Sequence, residues 1–345
     1  MAYPGVVADF RACCELRPPQ RLPVFALGLE FSAEAVGLTC AESRTDVGKM
    51  VRCQVESVRR FDFDLVEVFP DDYIEFEPLG LRMSTDPERP TMPLEYLPME
   101  AAVLRRFRLP DPQREMRLPV HLEMLRQCKA ALGDRACVLG RIAAPFSALG
   151  LVYGIDTLLV AMLTEPNLVR DHLRFFVEHQ IHFGRAQLEA GADLLWLGDC
   201  VADSKFLSPA HYAEFAFPAA AEVGEALTRA GGLVVYHTCE TSLPHLAQQV
   251  QLPVSAVNVG EGADLATLKA ALGGRKCLTG NLDPMLLRDG TPEAVAQATR
   301  DLVRRAAPGG GYVFNTGEGI MRPSPAANVL AMMRAARAAG AEILP

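Results

Sequence analysis

Short apolar runs alternate with longer amphipathic stretches along most of this 345-residue chain. Runs of the first kind are typical of buried strands in a parallel sheet, and stretches with apolar residues every three or four positions are typical of helices. The predicted strands are residues 23–29, 65–69, 136–143, 194–197, 233–236, 256–259, 276–279 and 312–314. This alternation predicts repeated strand–helix units around one parallel sheet.

Several predicted helices begin at a Ser or Thr followed by Pro, the usual order of a capping residue and a first helical residue. The signal occurs at Ser208-Pro209, Thr291-Pro292 and Ser324-Pro325, and the longest helical stretches are residues 165–190 and 209–230. Eight strands joined by such helices favour a closed (β/α)8 barrel, or TIM barrel, as a single domain over residues 1–345. A doubly wound open sheet is the alternative.

The least regular region is residues 79–118, where Pro recurs and charged residues are dense. A structureless loop of that length is unusual in a compact domain. We therefore expect an inserted segment with a helix over residues 98–108, lying over one end of the barrel.

The composition narrows the classes of function. With 50% hydrophobic and 22% charged residues the chain is typical of a globular protein, and its net charge of -8 without a basic cluster argues against nucleic-acid binding. No apolar run is long enough for a bilayer, and the N-terminus does not resemble a secretory signal. Nine scattered Cys indicate no disulfide framework. We expect a cytoplasmic protein without a membrane partner; a monomer and a homodimer are both compatible with the sequence.

Polar residues follow the ends of the predicted strands, whose interiors are nearly uncharged. In a closed barrel these ends meet at one mouth, where active sites are built. The residues concerned are Glu30, Asp71, Asp72, Asp199, Cys200, His237, Cys239, Asn281, Asp283, Asn315 and Glu318.

The sharpest feature is His237-x-Cys239, directly after the fifth predicted strand. Imidazole nitrogen and thiolate sulfur are preferred Zn²⁺ ligands, although a structural pair at the barrel rim would show the same spacing. Glu318 lies between two glycines after the last strand and would reach the same mouth. It is a candidate third ligand, or it caps the following helix, where negative charge is favoured. The two roles are compatible.

Other strand-end residues are candidates for contacts with substrate or cofactor. Asp199 would bind substrate or orient His237, or else be satisfied by neighbouring backbone amides. Asn281, Asp283 and Asn315 offer hydrogen bonds to a bound group, while a tight turn followed by a helix start would also account for the segment around Asp283.

Taken in order, these segments resemble the uroporphyrinogen decarboxylase superfamily. The resemblance covers nearly the whole chain and is strongest over residues 190–335. It is carried by Leu197-Gly198-Asp199, Ser208-Pro209, Tyr212, His237-x-Cys239, Gly280-Asn281-Leu282-Asp283-Pro284, Asn315-Thr316-Gly317-Glu318-Gly319-Ile320, Pro325 and Asn328. The combination is specific, although each motif alone is not.

The resemblance implies one of two activities. The decarboxylases use no metal and grip a porphyrinogen through an Arg-containing N-terminal motif, whereas residues 22–30 here contain no Arg and end in Glu30, which would repel a polycarboxylate. The other branch consists of zinc-dependent methyltransferases that work with methylcorrinoid proteins, including those that methylate coenzyme M. In them the His-x-Cys pair supplies two ligands and the glycine-flanked loop a third, commonly Cys, where this chain has Glu318.

The resulting hypothesis is a zinc methyltransferase that moves a methyl group between a small molecule and a corrinoid (cobalamin-type) cofactor on a partner protein. His237, Cys239 and Glu318 would hold Zn²⁺, and the carboxylate favours an oxygen or nitrogen substrate over coenzyme M. Asp199 and Glu318 are the catalytic candidates, and Asn281, Asp283 and Asn315 the cofactor contacts. The alternatives are a metal-free carboxy-lyase, with Arg141 as its candidate anion-binding residue, and a non-catalytic protein that binds a corrinoid, folate or another small ligand.

Overall fold

The computed structural model describes residues 3–344 except 69, 85, 87–90 and 273. Within these residues, eight strands form one sheet in the order β1-β8-β7-β6-β5-β4-β3-β2, and every paired neighbour is parallel. The strands are β1 (Val24–Phe25), β2 (Leu65–Glu67), β3 (Cys137–Ala143), β4 (Leu194–Gly198), β5 (Leu233–His237), β6 (Ala256–Asn258), β7 (Cys277–Leu282) and β8 (Tyr312–Thr316). The sheet is a nearly closed (β/α)8 barrel, as the alternation predicts.

Helices surround the sheet. They are α1 (Val6–Cys14), α2 (Leu29–Ala35), α3 (Cys40–Thr45), α4 (Val47–Phe61), α5 (Ala101–Leu104), α6 (Leu118–Leu132), α7 (Pro145–Tyr153), α8 (Ile155–Thr164), α9 (Pro166–Glu189), α10 (Pro209–His211), α11 (Phe217–Arg229), α12 (Leu243–Gln249), α13 (Leu265–Leu272), α14 (Pro284–Asp289), α15 (Pro292–Ala306) and α16 (Ala326–Ile343). Short 3₁₀ turns occur at Glu77–Leu79 and Cys200–Ala202, and a π-helical turn at Tyr212–Ala216 joins α10 to α11.

Two of the three predicted helix starts are confirmed. Ser208 and Thr291 each accept a hydrogen bond from the backbone N–H three residues on. The third helix begins one residue later than predicted, with Pro325 rather than Ser324 in the capping position. Pro325 has an extended backbone there, so its ring precedes the first helical residue.

The first two strands are shorter than predicted. The chain leaves the sheet after Phe25 and enters α2 at Leu29, so Glu30 is helical. Strand β2 ends at Glu67, and Phe69 of the predicted strand lies outside the described residues. Both strands pair on one side only within the described chain, because β1 bonds to β8 and β2 to β3. A strand with one partner has fewer ladder hydrogen bonds to hold it extended.

Side-chain carboxylates bridge the seam between β1 and β2. Asp64 accepts a hydrogen bond from the Val24 N–H at 2.8 Å, and Glu67 accepts one from the Leu29 N–H at 3.2 Å. Asp64 is 1% exposed and also bonds the guanidinium groups of Arg21 and Arg337. These carboxylates replace the ladder bonds that an eighth pairing, between β1 and β2, would supply.

The barrel interior is a separate hydrophobic cluster, distinct from the layer between sheet and helices. Helix α1 closes its amino end with Val6, Phe10 and Cys13, and the Phe10 and Phe25 ring centroids are 4.7 Å apart. Alternate residues of each strand point inward, for example Leu233 and Val235. His237 continues this parity at the carboxyl end of β5.

The same alternation assembles a polar layer at the barrel mouth. Glu67 follows inward-pointing Leu65, and Arg141 follows the inward pair Cys137 and Leu139. Gly198 occupies the corresponding place on β4 and leaves space there because it has no side chain. A Cβ at Gly198 would lie 4.0 Å from Arg141, so the glycine leaves the mouth open beside that side chain.

Among the described residues of the segment 79–118, Thr91 lines a cavity at this mouth. The helix of this segment is a single turn, Ala101–Leu104, instead of the predicted 98–108, because Glu100 is still extended. The Leu97 N–H bonds the Val152 carbonyl at 3.0 Å, which ties the segment to α7. Among the described residues no single helix is long and apolar enough to span a membrane; α7 and α8 reach that length only together, across a 113° bend.

Candidate metal centre

Four ligating side chains converge at the mouth, from three strand ends. They are Cys200, His237, Cys239 and Glu318, whose donor atoms all lie within 4.8 Å of one another. The His237 Nε2 is 2.9 Å from Glu318 Oε1 and 3.4 Å from Cys239 Sγ. The Cys239 thiol also donates to Glu318 Oε1, and the Cys200 and Cys239 sulfurs are 3.7 Å apart. We call this set the donor cluster.

Three of the four were predicted from the sequence, and Glu318 is at the cluster rather than capping α16. The fourth, Cys200, was named only as a residue that follows β4. The signal that identifies it is its place directly after a strand adjacent to β5, since β4 and β5 are hydrogen-bonded neighbours. Neighbouring strand ends in a barrel share one mouth, so His237-x-Cys239 and Cys200 necessarily lie close together.

The cluster concentrates negative charge around one imidazole. Burial would lower the pKa of His237, but Cys200 and Glu318 outweigh it and raise that pKa to about 10. Burial likewise opposes ionisation of Glu318, yet the charge of His237 lowers the Glu318 pKa to about 2. Hydrogen bonding with Cys239 is the main reason that the pKa of Cys200 is held well below its usual range. A proton on His237 is thus stabilised at the place where a metal cation would bind.

One side of the donor cluster is buried, and the other side is exposed to solvent. His237 is 3% exposed and its ring lies against Trp196, with centroids 4.9 Å apart. The His237 Nδ1 has no hydrogen-bond partner among the described residues. Cys200 is exposed, and the side chain of Glu318 is 42% exposed. A ligand can therefore approach from the side of Cys200 and Glu318.

Close backbone contacts hold the loops after β5, β6 and β8 together. Cys239 has a φ of +55°, in the left-handed region that residues other than glycine rarely adopt. A Cβ on Gly260 would lie 2.3 Å from the Cys239 carbonyl oxygen, and one on Gly317 would lie 2.5 Å from the Glu261 nitrogen. Glycine at 317 is therefore required by the approach of Glu261, rather than by a special φ at Glu318.

Glu240 joins the loop after β5 to the loop after β4. Its Oε1 accepts from the Ser204 hydroxyl at 2.8 Å and from the Thr241 and Ser242 N–H groups at 2.8 and 2.6 Å. Its Oε2 accepts from the Ser204 N–H at 2.8 Å. Because Glu240 follows Cys239 and Ser204 follows the Cys200 turn, this 1% exposed carboxylate positions both sulfurs.

We expect Glu240→Gln to weaken metal binding by roughly 10- to 100-fold, the usual cost of losing a residue that supports metal ligands. A glutamine amide would place N–H groups against donors that now bond a carboxylate. Metal affinity can be measured by competition with a chromophoric chelator. Glu222→Gln, on the exposed face of α11, is the matched control and should bind metal as the wild type does. Equal affinity of the two variants would contradict a positioning role for Glu240.

Asp199 lies beneath the cluster and does not face the opening. It is fully buried, its Oδ1 accepts from the Ser147 N–H at 3.0 Å, and its Oδ2 accepts from the Tyr236 hydroxyl at 2.7 Å. Burial raises the pKa of Asp199 to about 7. Its carboxylate makes no hydrogen bond to the His237 ring among the described contacts. The geometry agrees with the alternative in which a neighbouring backbone amide satisfies Asp199, close to the Cys200 turn, whose Val201 N–H bonds Ser147 Oγ at 3.0 Å. A contact between Asp199 and substrate stays a prediction.

The predicted cofactor contacts also have structural partners. Asn281 donates to the carbonyls of Gly260 and Ala263 at 2.8 and 2.9 Å. Asp283 caps α14 by accepting from the Met285 N–H, so turn chemistry explains it. Asn315 is fully buried and accepts from the Thr316 N–H at 2.9 Å, while its Nδ2 has no partner among the described residues. Hydrogen bonds within the protein thus use one polar side-chain atom of each residue, and contacts with a cofactor stay a prediction.

A mouth cavity of about 340 Å³ lies beside the donor cluster. Its charged lining consists of Glu30, Arg44, Glu67, Asp71, Asp72, Arg141 and Arg322. Arg141 bonds the Asp72 carboxylate. Burial raises the pKa of Glu67 to about 7. The four acidic side chains of this cavity outnumber its three arginines, so its lining is not an anion-binding cluster.

Comparison with known proteins identifies relatives of this chain. The model of the uroporphyrinogen decarboxylase (URO-D) family matches residues 8–339. The uroporphyrinogen decarboxylase of Anaeromyxobacter dehalogenans is 26% identical over 353 residues, covering 96% of this chain and 98% of that protein. The methylcobamide:CoM methyltransferase MtbA of Methanosarcina mazei is 27% identical over 206 residues, 59% of each chain.

Among solved structures, a methyltransferase from Methanosarcina mazei superposes with a TM-score of 0.87 at 20% identity, over 96% of this chain and 98% of that one. At this identity the likeness shows the fold alone. It agrees with the (β/α)8 architecture described above.

Proposed function

The chain belongs to the uroporphyrinogen decarboxylase family, and within that family we propose that it is a zinc-dependent methyltransferase. It would move a methyl group between a small molecule and a corrinoid cofactor carried by a partner protein. The observation that carries the proposal is the convergence of Cys200, His237, Cys239 and Glu318 within 4.8 Å. The similarity to a methylcobamide:CoM methyltransferase supports the same class of reaction.

The donor set fits zinc. Two sulfurs, one imidazole nitrogen and one carboxylate oxygen are the ligand types that Zn²⁺ prefers, and three or four of them suffice. When bound, Zn²⁺ would lower the pKa of a substrate thiol and keep it as a nucleophilic thiolate. The preference for oxygen or nitrogen substrates assumed a single sulfur in the set. With Cys200 as a second sulfur the set is softer, so a thiol substrate is again favoured.

The chain's own residues would define the direction of approach. His237 is buried against Trp196, so its imidazole closes the inner side of the cluster. Cys200 and the half-exposed Glu318 form the open side. Direct displacement of a methyl group requires donor and acceptor in line and in contact. The corrinoid of the partner protein would therefore dock over the open mouth, and a reducing cytoplasm would keep both cysteines available.

Decarboxylation of a polycarboxylate is the competing reaction in this family. Such a substrate needs an excess of cationic side chains at the mouth. Here Arg141 bonds Asp72, and Arg117 bonds Asp71 at 2.7 Å and also Glu77. Glu30 lines the same cavity. This charge balance favours the methyltransferase over the carboxy-lyase.

The proposal is tested with the purified full-length protein. Its zinc content is measured by elemental analysis, and methylcobalamin is mixed with it in the presence of small thiols, with loss of the cobalt–carbon absorbance as readout. The reverse transfer to cob(I)alamin and the release of CO₂ from uroporphyrinogen are assayed in parallel. We expect bound zinc, and methyl transfer that a chelator abolishes and added Zn²⁺ restores.

Two outcomes would overturn the proposal. Release of CO₂ by zinc-free protein would establish a carboxy-lyase. Tight binding of methylcobalamin without transfer in either direction, whether or not zinc is bound, would establish a binding protein.

A further inference from the structure

A second cavity lies on the other side of Arg141 and extends to the donor cluster. This side cavity has a volume of about 160 Å³, and its lining includes Ile74, Glu75, His121, Leu151, Cys200 and Val201. It shares Asp71, Asp72 and Arg141 with the mouth cavity, so the two are neighbours at the mouth. Cys200 is the point at which the side cavity meets the donor cluster.

The charges at the rim of the side cavity are neutralised within the protein. Arg141 bonds Asp72, and Asp71 is 2.7 Å from a guanidinium nitrogen of Arg117. A charged ligand would have to displace one of these ion pairs. A neutral ligand avoids that cost, because buried charges are stable only when paired.

His121 offers a hydrogen-bond acceptor. Gln187 donates its Nε2 to the Arg141 carbonyl at 2.9 Å, and its Oε1 accepts from the Arg141 N–H at 2.8 Å, which fixes the orientation of the amide. The His121 Nε2, 3.0 Å from the same Oε1, must then be the donor. Burial lowers the pKa of His121 to about 4, so its Nδ1 carries a lone pair. That Nδ1 has no partner among the described residues.

Glu75 offers the complementary donor. It is 4% exposed, and its Oε1 accepts from the Ala143 N–H at 2.9 Å. Burial raises the pKa of Glu75 to about 8, so the carboxyl group is mainly protonated at neutral pH. Because Oε1 serves as the acceptor, the proton belongs on Oε2, which makes no hydrogen bond within the described part of the chain, although the Gln180 amide lies near enough to oppose the rise of the Glu75 pKa. Buried polar atoms left in this way usually bind water or a ligand.

Most of the remaining wall is apolar, with Ser147 as a further polar residue. Ile74, Ala143, Leu151 and Val201 surround the polar pair. The volume of about 160 Å³ corresponds to about five water molecules in the liquid. The side cavity therefore suits a small molecule with an apolar body and one neutral polar group.

We infer that the side cavity binds a small neutral molecule through a hydroxyl or carboxamide group that hydrogen-bonds with Glu75 and His121, while its other end reaches Cys200. Hydroxyl and carboxamide groups both donate and accept, as this pair requires. The further statement that this molecule is the methyl donor or acceptor rests on the proposed function. Binding itself depends only on the side cavity.

The test uses four probes of one shape: benzyl alcohol, benzamide, benzoate and benzylammonium. Binding to the full-length protein at pH 7 is measured by calorimetry, and NOEs to the methyl groups of Leu151 and Val201 locate the probe. We expect the two neutral probes to bind roughly tenfold more tightly than the two ions, since an unpaired buried charge is costly. Tighter binding of an ion, or NOEs only to other parts of the protein, would overturn the inference.

Two variants of Glu75 distinguish a donor from an anion. Glu75→Gln keeps an acceptor for Ala143 and a donor for the ligand, so benzyl alcohol should bind as to the wild type. Glu75→Leu and His121→Phe each remove one partner and should weaken binding about tenfold. Circular dichroism and thermal melting check that each variant is folded. If a variant does not fold, the NOEs of the wild-type protein decide whether the probe lies in the side cavity. Loss of binding in Glu75→Gln, or none in the other two, would contradict the assignment.

Repeating the titration with Cys239→Ala separates this inference from the proposed function. That variant lacks one member of the donor cluster but keeps the polar pair, and we expect it to bind benzyl alcohol unchanged. If the wild type binds zinc and transfers methyl groups but binds no neutral probe, the inference alone fails. If the neutral probes bind but zinc and transfer are absent, the proposed function alone fails.

Discussion

Replacing His237 with alanine should remove bound zinc and methyl transfer together. The imidazole is the one donor of the cluster that would be neutral when it binds a metal, and His237 is 3% exposed. Without it, the three remaining ligands, Cys200, Cys239 and Glu318, would all be negatively charged. The buried coordination position of the metal would be empty. We expect zinc affinity to fall by more than the roughly 10- to 100-fold that loss of a supporting residue costs. Elemental analysis and chelator competition measure the change, and methyl transfer is assayed on the same samples.

The matched control is His211→Ala, because His211 lies at the end of the short helix α10, away from the cluster. It should retain wild-type zinc and activity. Zinc binding by His237→Ala equal to that of the control would remove His237 from the metal site, and with it the proposed function. A reduction confined to kcat, with normal zinc content, would instead assign His237 to the reaction and not to the metal.

Asp64→Asn should lower the free energy of unfolding by about 3 kcal/mol. Asp64 is 1% exposed at the seam between β1 and β2, where it accepts from the Val24 N–H and bonds the guanidinium groups of Arg21 and Arg337. Asparagine keeps an acceptor for one donor but leaves the guanidinium groups of Arg21 and Arg337 with only the exposed carboxylate of Asp62 as a countercharge. Urea denaturation followed by circular dichroism measures the change.

Asp62→Asn provides the comparison, since Asp62 bonds Arg337 at 3.0 Å but has a side chain that is 56% exposed. Solvent-exposed ion pairs contribute little, so this variant should lose less than about 1 kcal/mol. Equal losses in the two variants would mean that burial of Asp64 at the seam does not stabilise the barrel.

The strand assignment could be read from the sequence because each strand of a parallel barrel is buried on both faces. Apolar runs such as residues 136–143 and 233–236 therefore stand out from their surroundings and are observed as β3 and β5. The strand predicted over residues 23–29 was too long at its carboxyl end, because the apolar character continues into α2 after the strand has ended. The apolar pattern reports burial, which β1 and the start of α2 share.

The site was partly predictable for a related reason. His237, Cys239 and Glu318 stood out by chemistry and by their places after strands, and the structure brings their donor atoms together. Asp199 and Asn281 stood out in the same way, but their polar atoms bond neighbouring loops. A strand-end position brings a residue to the mouth, whereas the direction of its side chain depends on which backbone groups nearby need partners.

By itself, the sequence determined the class of fold, the end of the barrel at which the donor cluster lies, and three members of that cluster, because periodicity and residue type are local properties of the chain. Only the tertiary structure decided that Cys200 joins them, that Asp199 accepts hydrogen bonds from Ser147 and Tyr236, and that Glu75 and His121 line one cavity. Those outcomes depend on the neighbour order of the strands and on which buried donors meet which acceptors. Both are properties of residues that lie far apart along the chain.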